Sequence, residues 1–360
     1  MAADPRVNEF ARLLVERCVD VQPGWQVVVR SQPLARPLLE EVQALIAKRG
    51  AYALLRLDFD SLTGSAPWLR EAPDELVSEL PDITKYELEH MDCFIAALAP
   101  ENTREGSDVP AERVSRSQQA AMPLLKPFLS EEKPWVGCYY PTNASAQDAG
   151  MTLEQWEDFV YGSILIDWDA LERDMERIKD RFDGAEEVRV VGADTDIRVS
   201  LAGREGKVSG LGANMPSGEV FYSPVEDSAE GVVTFSEYPA CASGHQVEGV
   251  RLRFEGGRAV EASAASDEAF LLGMLDTDEG ARVLGELGIG CNPGIQRHVR
   301  NTLFDEKIEG TAHFAIGHGF PALGGTNISA IHWDMVKDLR QGGRIEINGE
   351  VVQENGRWRP

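Results

Sequence analysis

The sequence predicts two domains: an α/β domain on a mainly parallel sheet over residues 1–165, and an α+β, mostly antiparallel domain over residues 166–360. Three observations support this division. Through about the first 140 residues, short apolar or β-branched runs alternate with helical patterns, the rhythm of a parallel sheet with helical crossovers. From about Glu187 the pattern changes to short strands separated by Gly-rich turns. A strongly charged helical stretch, Trp168–Phe182, lies between the two patterns and marks the boundary.

In the first domain, strands are expected at 26–30, 51–57, 93–98 and 135–140, and helices at 34–48 and 111–125. The strand-to-helix connections should be short. The arginines of 110–119 belong to a solvated helix face rather than to an interaction motif. The second domain contains VRVVG, DIRVSL, VEGVRLRFEGGRAVEASA and a closing RIEINGEVVQENGRW, whose Asn-Gly pair is a strong hairpin signal. Neither an internal repeat nor a low-complexity tract interrupts this order.

Composition narrows the function. A chain of 360 residues, 43% of them hydrophobic, can build a sizeable core. A formal charge of −25 repels phosphate backbones and anionic lipids, which argues against nucleic-acid and membrane partners. The same acidity suits a salt-adapted cytoplasm or a substrate with a free ammonium group. The N-terminus mixes acids and bases, and apolar runs stay short of the roughly 18 residues needed to span a bilayer, so a cytoplasmic protein is expected. Five cysteines (Cys18, Cys93, Cys138, Cys241 and Cys291) are widely spread without a CxxC pair, which reads as buried free thiols.

Metal or acid-base chemistry would need His, Asp, Glu or Cys brought together. The sequence Ile331-His332-Trp333-Asp334 reads as strand, so His332 and Asp334 face one side with Cα atoms roughly 7 Å apart. His313 sits in the apolar run AHFAIG, where a lone histidine is more often a hydrogen-bonded core residue than a ligand. A Pro-Ser-Gly turn delivers Glu219 at the start of a β-favouring run, and a plain exposed turn would look the same. Glu286 lies among apolar residues and glycines, where a carboxylate needs a cation, a metal or several hydrogen bonds. Asp305 and Glu306 close the segment NTLFDE just before His313.

Taken in order, NMPSGEVF, LGELGI, NTLFDE, AHFAIG and HWDM resemble the signature segments of the thermophilic, M29-type aminopeptidases, and FARLLVERCVDVQPGWQVVVRS is similar to that family's opening helix and strand. The resemblance covers essentially the whole chain. It implies a metallo-aminopeptidase that removes N-terminal residues from short peptides through a metal-activated hydroxide. Two divalent ions (Zn, Co, Mn or Mg) would be held by Glu219, Glu286, Glu306, His313, His332 and Asp334, with Glu286 as bridge and Glu219 and Glu286 in catalytic roles. Because the spacer KIEGTA is longer than the family's usual one, Asp305 stands as the substitute for Glu306. A homodimer acting on short peptides with a free N-terminus is implied too.

The chain departs from the family at Phe320, where members usually carry a tyrosine that donates to the transition state; His318 is the candidate replacement donor. Two alternatives follow. Dihydroxypyridine-cleaving dioxygenases resemble this family but bind one Fe(II) through two histidines and an aspartate, and they lack the equivalents of Glu219 and Glu286. A metal-binding member with reduced or lost catalysis is the other.

Overall fold

The computed structural model describes residues 4–59, 65–129, 132–242 and 244–359. The chain divides into two compact units, Met1–Ile166 with Leu211–Pro216, and Asp167–Gly210 with Ser217–Pro360.

In the first unit, β1 (Gln26–Ser31), β2 (Tyr52–Leu57), β3 (Cys93–Leu98) and β4 (Trp135–Tyr139) form a wholly parallel sheet in the order β2-β1-β3-β4, ending on the short strand Asn214–Met215. Interior β1 buries Val27, Val28 and Val29 in succession, as a parallel strand covered on both faces must, whereas edge strand β2 is half-buried at its centre and exposed at its ends. The helix expected at 34–48 runs Arg36–Lys48 after a 3-10 turn at Pro33–Ala35. Pro37 falls in its first turn, where the missing N–H would have had no intrahelical partner. The helix expected at 111–125 extends through Pro123 and Pro127 to Leu129. Phe128 anchors that extension, buried against Val28 and Met91 with Phe94 and Trp135 beside it.

The connection between β2 and β3 is not the short step expected. Pro67 starts a helix, and Pro73 and Pro81 each precede a restart, giving Ala66–Glu71, Asp74–Val77 and Asp82–His90.

The second unit opens with the charged helix Trp168–Phe182, capped by Asp167, whose carboxylate accepts from the Ala170 amide. Its apolar stripe, Trp168, Leu171, Met175, Ile178 and Phe182, is buried, so the charges lie on the solvated face. An eight-stranded antiparallel sheet follows the order Arg258–Ser263, Val250–Glu255, Glu230–Phe235, Thr195–Val199, Val188–Gly192, Arg344–Ile347, Glu350–Glu354 and Arg357–Trp358. Its Arg344–Ile347 hairpin turns at Asn348 and Gly349, both at positive φ, as the Asn-Gly signal predicts.

A second sheet carries the candidate site residues. It consists of β5 (Lys207–Ser209), β6 (Glu219–Tyr222), β7 (Leu284–Gly290), β8 (Thr311–Gly317) and β9 (His332–Asp338), antiparallel throughout in the order β9-β8-β7-β6-β5. Strands β7 and β8 are buried along their whole length. All five cysteines are free thiols; Cys93, Cys138 and Cys291 are buried, Cys18 and Cys241 half-buried. Among the described residues, no helix is long and apolar enough to cross a membrane.

Candidate metal centre

Strand register puts the polar residues of four strands on one face. Glu219 pairs with Gly290, and two residues on, Phe221 pairs with Gly288, which also pairs with His313. His313 in turn faces Val336 on β9. The next rank along the same face is Glu286, Ala315 and Asp334, and the last is Gly317 beside His332. Side chains two apart on a strand share a side, so Glu219, Glu286, His313, His332 and Asp334 converge, with Gly288, Gly290, Ala315 and Gly317 leaving room between them.

Each side chain is held by its surroundings. The turn before Glu219 is clamped, since the Ser217 hydroxyl donates to the Ser209 carbonyl and the Asn292 amide group donates to the Ser217 carbonyl, both at 2.7 Å. Gly218, at φ +118, lies so close to Asn292 that a Cβ there would meet the Asn292 Cβ at 2.9 Å. His332 donates from Nδ1 to the His318 carbonyl at 2.8 Å, which turns Nε2 toward the carboxylates. Ser223 accepts from the Phe320 amide at 2.7 Å and donates to the Gly285 carbonyl at 3.0 Å, tying the Phe320 loop to β7. The Phe320 ring meets Phe221 and His332 edge-on, with centroids 5.1 and 5.2 Å away.

The potential ligand atoms fall into two groups. Glu219, Glu286 and His313 form one, and Glu286, His332 and Asp334 the other; in each, all ligand atoms lie within 4.8 Å of one another. Glu286 belongs to both, with Oε1 3.3 Å from His313 Nε2 and Oε2 2.9 Å from His332 Nε2. His332 Nε2 is 3.6 Å from Asp334 Oδ1, and His313 Nε2 is 3.5 Å from Glu219 Oε2.

Glu306 falls in neither group. Its carboxylate pairs with Lys307, whose ammonium also lies 3.3 Å from Glu219 Oε1. Asp305 points elsewhere, accepting from the Val299 and Asn301 amides at 2.6 and 2.7 Å and sitting 3.2 Å from His298 Nε2. It therefore fixes the 298–301 loop and, like Glu306, lies outside both ligand groups.

Electrostatics across the cluster favour positive charge among its carboxylates. Burial would raise the Glu286 pKa, but the hydrogen bonds and charges of His313 and His332 bring it down to about 2. Burial likewise opposes protonation of the two histidines. The hydrogen bond that His313 donates to Glu286 and the charges of Glu286, Glu219 and Asp334 nevertheless lift His313 to about 9, and Asp334 with Glu286 lifts His332 to about 11. Burial, with the charges of Glu219 and Asp334, pushes Glu306 up to about 8 against the pull of Lys307.

A buried imidazole acquires a proton this readily only where carboxylates need a cation, and a divalent ion would take that role while displacing the protons. Two buried carboxylate oxygens, Glu219 Oε2 and Asp334 Oδ1, have no hydrogen-bond partner. Mixed carboxylate and imidazole donors with orphaned oxygens fit a divalent metal ion.

Sequence reasoning missed Lys307, Phe221 and the small residues Gly288 and Ala315. Lys307 had a signal, a lysine directly beside the site acid Glu306 and followed by Ile308. The small residues acquire meaning only from the strand register.

Against known proteins, the family model described as thermophilic metalloprotease (M29) matches residues 3–358. Aminopeptidase T of Thermus aquaticus is 31% identical over 302 residues, covering 69% of this chain and 72% of that protein. Aminopeptidase AmpS of Bacillus subtilis (strain 168) is 26% identical over 98% of each chain. Among solved structures, wild-type AmpT from Thermus thermophilus superposes with a TM-score of 0.82 at 22% identity, over 98% of this chain and 99% of that one. The 2,5-dihydroxypyridine dioxygenase of Pseudomonas putida KT2440 shares the fold at a TM-score of 0.63 and 15% identity, over 100% of this chain and 98% of that one.

Proposed function

We propose, because this chain belongs to the thermophilic metalloprotease (M29) family, that it is a metal-dependent aminopeptidase removing N-terminal residues from short peptides. The observation that carries the proposal is the pair of three-residue groups sharing Glu286. Such an arrangement would let Glu219, Glu286, His313, His332 and Asp334 hold two divalent ions, with Zn, Co, Mn or Mg all compatible with the donors. Bound there, the ions would supply Lewis acidity and a hydroxide nucleophile near neutral pH.

The protein's own residues do the rest. Glu286 belongs to both groups, and Glu219 offers Oε2, free of hydrogen bonds, to one of them. The surplus of carboxylates attracts the free α-amine that defines an exopeptidase substrate. Phe221 and Phe320 form an apolar wall beside His332 that limits competing water. Phe320 brings no hydroxyl, so the oxyanion donor that a tyrosine would offer is absent from that position. The expected consequence is slow turnover.

Retention of both Glu219 and Glu286 favours hydrolysis over the mononuclear Fe(II) dioxygenase chemistry of the second structural relative. The test is metal content together with hydrolysis of a panel of amino-acid nitroanilides under added Co²⁺, Zn²⁺, Mn²⁺ or Mg²⁺. Hydrolysis of free-amine substrates with divalent metal bound is expected. One Fe(II) per chain with oxygen consumption would replace the reading with the dioxygenase, and bound metal without hydrolysis would make the chain a metal-binding relative that has lost catalysis. We further propose a homodimer; an elution volume matching a monomer would refute it.

A further inference from the structure

We infer that Lys307 makes the two metal loci unequal, its ammonium occupying carboxylate oxygens of the Glu219 locus so that the Glu286–His332–Asp334 locus fills first and the second ion binds weakly. The inference rests on the metallopeptidase reading of this site and goes beyond it.

Lys307 is completely buried, and its ammonium has two partners, the carboxylates of Glu219 and Glu306. A desolvated ammonium must be paired, and backbone carbonyls can share that role. Among the described residues, a second fully buried lysine shows such a solution: Lys337 donates to the Ala193 and Thr234 carbonyls at 2.9 and 2.8 Å as well as to Glu237. Lys307 instead takes both partners from the acids of the metal site. Its backbone is fixed, since its carbonyl accepts from the Asn292 amide and its own amide donates to the Phe304 carbonyl. The ammonium is thereby held where it is.

Two effects follow. Glu306, expected from family resemblance to be a metal ligand, is engaged by Lys307 and lies outside both ligand groups. Glu219 offers one free oxygen, Oε2, because Oε1 faces the ammonium. An ion entering the Glu219–Glu286–His313 group meets a fixed positive charge as well as one fewer carboxylate, and like charges at such separation in a buried site repel strongly. Among the described residues, the Glu286–His332–Asp334 group forms ion pairs only within the cluster and with His313, and it opens to solvent through His332.

The experiment counts ions on the full-length, tag-free chain. Metal-stripped protein is equilibrated in zinc buffers spanning a wide range of free Zn²⁺, and bound zinc per chain is measured by mass spectrometry. Wild type should fill in two steps, the second at about tenfold or higher free Zn²⁺. Lys307→Met, which keeps the volume and removes the charge, should bring the second step down by about tenfold or more. Asp334→Asn should weaken the first step instead. Circular dichroism verifies that each variant folds; the wild-type curve decides the matter alone if Lys307→Met does not.

Two wild-type ions loading together, or a Lys307→Met curve superimposable on wild type, would overturn the inference while leaving the metallopeptidase reading intact. Wild type that binds no zinc, or any other divalent ion, would overturn both.

Discussion

Replacing Gly288 by alanine tests the site through the register that builds it. Gly288 lies opposite His313 in the β7–β8 ladder, and the imidazole lies across it to reach Glu286 and Glu219. A Cβ at Gly288 would overlap His313 Nε2 and Cε1, and it would stand 2.8 Å from Cδ2. Restoring an ordinary separation of about 3.5 Å requires the ring to move by more than about 1 Å. His313 is fully buried on a strand with no slack, so the movement is away from the carboxylates.

A misplacement of about 1 Å at a reacting centre can lower the rate by about 100-fold, equivalent to about 2.7 kcal/mol of transition-state stabilisation. Overpacking of a tight core adds a stability loss of about 1–3 kcal/mol. The assay is kcat/KM on an amino-acid nitroanilide with saturating metal, alongside thermal unfolding. A Gly288→Ala variant with wild-type metal affinity and wild-type kcat/KM would refute the account of how His313 is positioned.

Three further outcomes are expected. Glu219→Gln or His332→Ala abolishes hydrolysis while the unfolding transition survives, because each removes a ligand atom rather than a core contact; unchanged turnover in either contradicts the assignment. Phe320→Tyr adds a hydroxyl to a ring already seated against His332, and it raises kcat by up to about 100- to 1000-fold, the usual worth of an oxyanion donor. No increase would mean that this ring does not face the transition state. Burial would raise the Asp338 pKa, but the Arg340 guanidinium and amide and the Tyr238 hydroxyl hold it below its ordinary value. Its stabilisation is therefore present above the unfolded carboxylate pKa of about 3.9 and is lost as pH falls through the lower folded value. Asp338→Asn should flatten that acid limb in denaturant titrations, and an unaltered slope would sink the argument.

Much of the fold and part of the site are legible in the sequence. β1 and the Asn348-Gly349 hairpin announce themselves because their signals are local, an unbroken valine run and a turn dipeptide needing positive φ. The His332-x-Asp334 pair is readable for the same reason: strand alternation alone puts both on one face. The three-helix connection between β2 and β3 escapes such reading, although Pro67, Pro73 and Pro81 mark each restart. The choice between Asp305 and Glu306 is also out of reach. Adjacent acids diverge, and only the amides of Val299 and Asn301 reveal that the Asp305 carboxylate serves the preceding loop. Lys307, Gly288 and Ala315 depend on which residues lie opposite them across strands, which spacing along the chain cannot express.

The most direct test of the central claim is hydrolysis of leucyl-glycyl-glycine by the metal-loaded protein, compared with the same peptide acetylated at its N-terminus. The account predicts release of free leucine from the first, none from the second, and loss of both metal and activity on chelation, with recovery when a divalent ion is restored. A protein that holds its metal at Glu286, His332 and Asp334 yet releases no N-terminal residue, or cleaves the acetylated peptide equally well, would contradict it.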